Sequence, residues 1–189
     1  MKPLLDFLNM VHPLDAKAQQ LITEWLKPTK IFANKCLLKM GDRCDKISWV
    51  ESGLLKMYQM HEDKEYITWF SMPGDIVISV ESFFKRVNSG QCIEAIRDSV
   101  VWSITYDQLN DIYGQFKDFN INGRVICQEY YCIAEKHRLI MHYSKDQRYQ
   151  KLMEYFPRYL DASIPDKYLA GYLGLTPAYL SRCKHEFEQ

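Results

Sequence analysis

The sequence predicts an α+β chain: a β-rich N-terminal domain, then a long helix, then a pair of short helices. Three observations carry this. Between Lys30 and Thr105, short runs rich in β-branched and aromatic residues follow one another, separated by turn-forming pairs. From Tyr106 to Tyr143 there is no proline, and apolar residues recur at helical spacing. The segment PDKYLAGYLGLTPAYLSRCKHEF then places small, glycine and apolar residues where two helices crossing at a tight turn need them.

Taken in order, the first element is a helix from about Ala16 to Leu26, with Asp15 as N-cap, Leu21, Ile22 and Trp25 as its apolar stripe, and Pro28 as its stop. The strand-like runs are KIFAN, CLLKM, KISWVES, GLLKMYQM, EYITWF, PGDIVIS, QCIEAI and SVVWSIT, with turns expected at Gly41-Asp42, Ser52-Gly53 and Glu62-Asp63. Many short strands of this kind suit a sandwich or barrel. Trp49, Trp69 and Trp102 fall in these runs, as core residues or as the lining of a ligand pocket.

The stretch from Tyr106 to Tyr143 reads as one helix with Gly114 and Gly123 as soft points. Phe119, Ile126, Ile133 and Ile140 recur every seven residues, with Tyr130 and His137 between them. Such a repeat argues for pairing with a second helix, so Ile126, Tyr130, Ile133, His137 and Ile140 are the expected dimer interface. The alternative is a stripe lying along the protein's own barrel. Ser144 and Gln147 form a candidate capping box. Tyr149, Leu152, Met153 and Phe156 line the next helix, which Pro157 stops.

In the final hairpin, Ala170 lets the second helix approach, Gly174 takes φ > 0 at the helix end, and Leu180, Cys183 and Phe187 face inward. Thr176 is the N-cap and Pro177 the first helical residue. A helix-turn-helix places such a helix in a DNA major groove. Thr176 and Pro177 would lie nearest the phosphates. Ala178, Tyr179 and Arg182 would face base edges, and Lys184 and His185 would meet the backbone. The expected domains are 1–143, containing the dimerisation helix at about 106–143, and 144–189.

The bulk numbers bound the function. Lys+Arg and Asp+Glu are both 24, so the net charge is zero. From Arg138 onward there are 8 basic and 6 acidic residues, a weak lean toward a nucleic-acid surface. No signal pattern or long apolar run appears, so a cytoplasmic chain without a membrane partner is expected. The six cysteines include no Cys-x-x-Cys pair and read as reduced, mostly buried thiols. Cys36, Cys44, Cys92, Cys127 and Cys132 are too scattered for a four-thiolate cluster, so no metal and no cofactor are expected. Before the long helix the only histidines are His12 and His61, too few for a metal-dependent barrel enzyme, and no catalytic triad order stands out. The protein is expected not to be an enzyme.

Through VESGLLKMY, PGDIVISVESF, IEAIRDS and YLAGYLGLTPAYLSR the chain resembles the Crp/Fnr family of bacterial transcription regulators, most of all its short Bacteroidetes-type members. The resemblance implies a cyclic-nucleotide-binding-like β-roll (a double-stranded β-helix), a dimerisation helix and a helix-turn-helix. It further implies palindromic DNA bound by a homodimer, a small-molecule effector of unknown identity, and RNA polymerase as a further partner. The family's phosphate cassette carries Gly-Glu-Leu and later Arg-Ser; here Gly74, Asp75 and Ile76 stand for the first, and Ser89 and Gly90 for the second. With Glu81 and Ser82 of the cassette's short helix, these form the expected effector pocket. It lacks the cation that a cyclic phosphate requires, so the expected effector is not cAMP or cGMP. Lys85 and Arg86 read as a solvated basic pair, the alternative being a site for a different anion. Because Gln189 follows directly, the helix-turn-helix is expected without the family's β-hairpin wing. The competing reading is an orphan sensor or protein-interaction module that does not bind DNA.

Overall fold

Two helices precede the sheet, α1 (Lys2–Val11) and α2 (Ala16–Trp25). The computed structural model describes residues 1–187, with the backbone alone for Leu160 and Asp161. Helix α1 was not anticipated. It has no side-chain cap, and its signal is limited to an early proline and Leu4 and Leu8, buried one turn apart. Helix α2 begins at Asp15 as expected, whose carboxylate accepts from the Lys17 and Ala18 amides.

The sheet contains β1 (Lys27–Ile31), β2 (Cys36–Leu38), β3 (Lys46–His61), β4 (Lys64–Ser71), β5 (Ile76–Val77) and β6 (Cys92–Thr105), with α3 (Val80–Lys85) between the last two. Strand order is β1-β6-β3-β4, with β2 also on β6 and β5 also on β3. The ladders of β1, β2 and β3 with β6, and of β5 with β3, are antiparallel. Eight expected runs became six strands, because KISWVES joins GLLKMYQM and QCIEAI joins SVVWSIT. Ser52-Gly53 is therefore not a turn but part of an irregular stretch of the β3–β6 ladder. Gly53 has φ +100°, and a Cβ there would stand 2.1 Å from Ser99 Oγ, so only glycine lets the strands pass. Pro28 does not merely stop α2; it sits in β1, an edge strand, where its missing N–H is tolerated. Glu62 and Asp63 do form the β3–β4 turn, both at positive φ.

The sheet closes on a core that includes Ile31, Leu38, Trp49, Val50, Leu55, Val77, Phe83, Ile93, Ala95 and Val101, with Leu4, Leu8, Ile22, Leu109 and Ile112 contributed by helices. Trp49 is thus a core residue, its ring 5.0 Å from that of Phe7.

The expected single helix is two, α4 (Tyr106–Gln115) and α5 (Phe119–Ile140). A capping box of Thr105 and Gln108 starts α4. The chain leaves helical geometry at Phe116, beyond Gly114, and Asn120 donates to the Tyr113 and Lys117 carbonyls across the break. Then follow α6 (Lys145–Tyr155), α7 (Arg158–Asp161), α8 (Asp166–Leu173) and α9 (Pro177–Phe187). The Ser144–Gln147 capping box does not form. Ser144 Oγ donates to Gln147 Oε1 and caps no backbone amide. The chain divides into two compact units, residues 1–59 with 69–127, and residues 60–68 with 128–189. The boundary between these compact units lies within α5. Among the described residues no helix is long and apolar enough to cross a membrane.

Candidate functional site

The helical hairpin of the second unit forms as its residues dictate. Leu169, Ala170, Leu173, Leu180 and Cys183 are buried between α8, α9 and neighbouring helices. Gly174 ends α8 at φ +65°; its N–H donates to Gly171 O, and the Leu175 N–H donates back to Ala170 O. Thr176 caps α9 by accepting from the Tyr179 N–H at 3.2 Å. Phe187 is not fully inside; it is 45% exposed and meets Tyr149 edge-on. Arg148 is a positioning residue that carries no local sequence signal. Its guanidinium donates to the Leu173, Tyr143 and Met141 carbonyls, tying the end of α8 to the turn before α6.

Thr176, Pro177, Ala178, Arg182 and His185 are exposed, and Tyr179 and Lys184 are half-buried. The structure brings these residues together on one helix, and it adds two acidic neighbours that sequence spacing could not reveal. Asp146, at the start of α6, accepts from the Tyr179 hydroxyl and, at 3.1 Å, from Arg182. Those bonds, the tyrosine's first, hold the Asp146 carboxyl below the usual carboxylate range. Arg182 also lies over the Tyr179 ring and 3.7 Å from Glu186. Lys184 pairs with Asp166 at the start of α8. Arg182 and Lys184 are thus pre-engaged by carboxylates with which a phosphate or base edge would compete.

The stripe expected to join two subunits is partly covered by its own chain. Ile126 packs against the core of the first unit. Ile140 is fully buried, Tyr130 and Ile133 are half-buried, and the His137 ring stacks on Tyr172 at 4.0 Å. Burial pushes the His137 imidazole down to about 4. The two ends of the repeat, Ile126 and Ile140, thus make contacts within the chain, while Tyr130 and Ile133 keep part of their surface open. The opposite face of α5 is open, with Arg124, Gln128, Glu135 and Arg138 exposed, Tyr131 at 66% and Leu139 at 46%.

The cassette residues satisfy one another. Gly74 takes φ +93° in the turn before β5. The buried Asp75 accepts the Met72 N–H at 2.9 Å, capping its own turn. Ile76 pairs with Trp49. Ser82 donates to Val87 O and accepts from the Cys44 N–H. Ser89 shares a 2.9 Å bond with Ser79 and bonds to both backbone groups of Gln91. Gly90 follows in an open loop. Glu81 is bound by Lys85, which, with the ion pair, lowers its carboxyl. Arg86 is not a solvated residue awaiting an anion. It sits at φ 59°, donates to the Cys44 and Phe83 carbonyls, pairs with Asp45 and covers the Tyr106 ring.

A second polar cluster lies on the sheet. Lys56 is 2% exposed, with Nζ 3.4 Å from Glu94 Oε1, and the Tyr58 hydroxyl donates to Glu94 Oε2 at 3.2 Å. The Cys36 and Cys92 sulfurs lie 3.2 Å apart beside that carboxylate. Burial and the Cys92 thiol push the Cys36 thiol up to about 11. The sequence placed these cysteines in separate runs and missed their meeting, because only the strand register brings them together.

Residues 29–116 match the cyclic nucleotide-binding domain family. Among solved structures, the chain is similar to FixK2 from Bradyrhizobium japonicum, with TM-score 0.75, 18% identity, and 86% of this chain and 84% of that one covered. It is similar to a CooA mutant from Carboxydothermus hydrogenoformans, with TM-score 0.70, 17% identity, and 97% and 83% covered. A transcriptional regulator of the Crp/Fnr family from Eubacterium rectale matches at TM-score 0.67 and 18% identity, with 93% and 84% covered. No curated protein sequence matches the chain.

Proposed function

The chain has the Crp/Fnr architecture, with a cyclic nucleotide-binding domain over residues 29–116, and from that premise we propose that it is a transcription regulator. In this reading it binds palindromic DNA as a cytoplasmic homodimer, does no catalysis, and carries a sensor domain whose nucleotide cassette is degenerate. The observation that carries the reading is α9: a capped helix on a buried hairpin core, presenting Ala178, Tyr179 and Arg182 outward. Its N-terminus suits a phosphate, and Arg182 suits bidentate contact with guanine. Lys184 and His185 are assigned to the phosphate backbone. The part-exposed Tyr130 and Ile133 of the α5 stripe, with Tyr131 beside them, are the proposed surface for the second copy. RNA polymerase would be met by the DNA-bound dimer.

Selection from a random DNA pool followed by footprinting tests this. Two half-sites about one helical turn apart are expected. Arg182→Ala should weaken the selected site about ten- to hundredfold and relax one base pair per half-site. Lys184→Ala should weaken selected and random DNA alike and flatten the salt dependence. Asp146→Asn should tighten binding to both, since it releases Arg182 and removes a negative charge facing the duplex. Failure of the parent chain to retard any DNA at low salt would sink the reading. It would favour the protein-interaction module, for which the carboxylate-paired surface of α9 is the supporting observation.

The effector is a small molecule other than cAMP or cGMP. Asp75, Ser82 and Ser89 spend their side chains within the cassette, and Arg86 is held by Asp45 and two carbonyls. A cyclic phosphate would enter with no cation to meet it, a loss of about one to four decades in affinity. Calorimetric titration with cAMP and cGMP should show no binding at micromolar concentration. A micromolar Kd would mean that Arg86 leaves Asp45 for the phosphate.

A further inference from the structure

We propose that Cys36, Cys92 and Glu94 form a binding site for a thiophilic divalent metal ion of the zinc class, within the first unit and independent of DNA binding. One ligand atom from each lies within 4.8 Å of the other two. The fold puts them there. Cys36 on β2 is the register partner of Glu94 on β6, and Cys92 precedes Glu94 by two residues, so their side chains share a sheet face. Two thiolates and a carboxylate are a donor set for zinc and its soft neighbours, not for magnesium or calcium.

The distances favour a metal over a disulfide. A tetrahedral ion with metal–sulfur bonds of about 2.3 Å holds its two sulfurs roughly 3.7–3.8 Å apart. From 3.2 Å the cysteines need open by only about half an ångström. A disulfide, at about 2.05 Å, requires them to close by about twice as much. Glu94 is already aimed, since Lys56 and Tyr58 each hold one of its oxygens. A carboxylate oxygen has two acceptor positions, so both bonds persist when a metal takes another, and such outer partners orient a ligand. Charge also balances. Two thiolates and Glu94 carry three negative charges, the ion and Lys56 three positive, so the buried site is neutral. Cys92 is buried, whereas Cys36 is half-buried and gives an entry path. Three protein ligands leave the fourth position to water.

The test uses the reduced full chain, titrated with zinc against a chelating dye and separately with cobalt(II). One equivalent of zinc should bind, and cobalt should give a thiolate charge-transfer band in the near ultraviolet. Cys36→Ser and Cys92→Ser should each weaken zinc at least about a hundredfold and reduce that band to half or less at saturating cobalt. Cys127→Ser with Cys132→Ser should change neither. Should a serine variant not fold, Glu94→Gln decides: it keeps both thiols, so the band should survive while zinc affinity falls about tenfold or more. The proposal is overturned if the reduced parent takes up no zinc in slight excess, or if binding survives Cys36→Ser unchanged.

Discussion

Lys56→Ala is expected to destabilise the first unit by about 3–5 kcal/mol, the range for breaking a buried ion pair from one side. Lys56 is 2% exposed and Glu94, its cross-strand register partner on β6, has only 15% of its side chain exposed. The ammonium lies 3.4 Å from one carboxylate oxygen and 4.4 Å from the centre of the Tyr58 ring. Removing it leaves Glu94 charged, largely dry and without the cation that faces it, with the Tyr58 hydroxyl still donating. The cost is mainly that of the stranded charge, not of the lost attraction. Lys56→Met combined with Glu94→Gln should therefore recover most of the loss, because the stem volume stays and the charge goes. Urea unfolding, with chelator present to exclude metals, measures both variants. A loss below about 1 kcal/mol for Lys56→Ala would mean that Glu94 finds water or another cation.

The second large effect is a fall in stability on acidification, traced to His137. Its ring stacks on Tyr172, its Nε2 is buried without a hydrogen bond, and burial lowers its pKa from 6.5 to about 4. In the unfolded chain the imidazole takes up a proton as pH drops through 6.5; in the native chain it does so only near 4. Unfolding thus binds a proton within that window, and acid favours it. Stability is full above pH 6.5 and falls by about 1.4 kcal/mol per pH unit below it, roughly 3 kcal/mol by pH 4. Asp45, Glu81 and Asp146, whose carboxyls are lowered by their partners, lose their contributions only in the ordinary carboxylate range and below. Between pH 6.5 and 5 the imidazole dominates. His137→Phe keeps the stack and removes the proton site, so its stability should be nearly flat from pH 7.5 to 5. Parallel decline of parent and variant would place the acid sensitivity elsewhere.

Much of the fold was legible because its signals are local. Asp15 before α2, Gly174 with Thr176-Pro177 between α8 and α9, and the Glu62-Asp63 turn each constrain the backbone within a few residues. The strand-rich region and the α8–α9 helical hairpin followed. Elements of weak local signal were missed or misjoined: α1, which lacks a cap, the break at Phe116, and the two long strands that pass through Gly53.

The candidate sites divide in the same way. The sequence by itself determined which residues α9 carries and that the cassette has no arginine-serine pair, since both are matters of residue type at a given spacing. Only the tertiary structure decided what those residues touch. The repeat from Ile126 to Ile140 has the same period whether it meets a second chain or its own, and packing buries its ends against this chain while leaving Tyr130 and Ile133 part-exposed. Arg86 reads as a free cation until Asp45, 41 residues away, is seen to hold it. Asp146 meets Arg182 across 36 residues, and Cys36 meets Cys92 across 56. Periodicity and capping act over one or two turns of chain. Pairing between distant charges, rings and thiols depends on strand register and helix packing, which arise only when the whole core is buried at once.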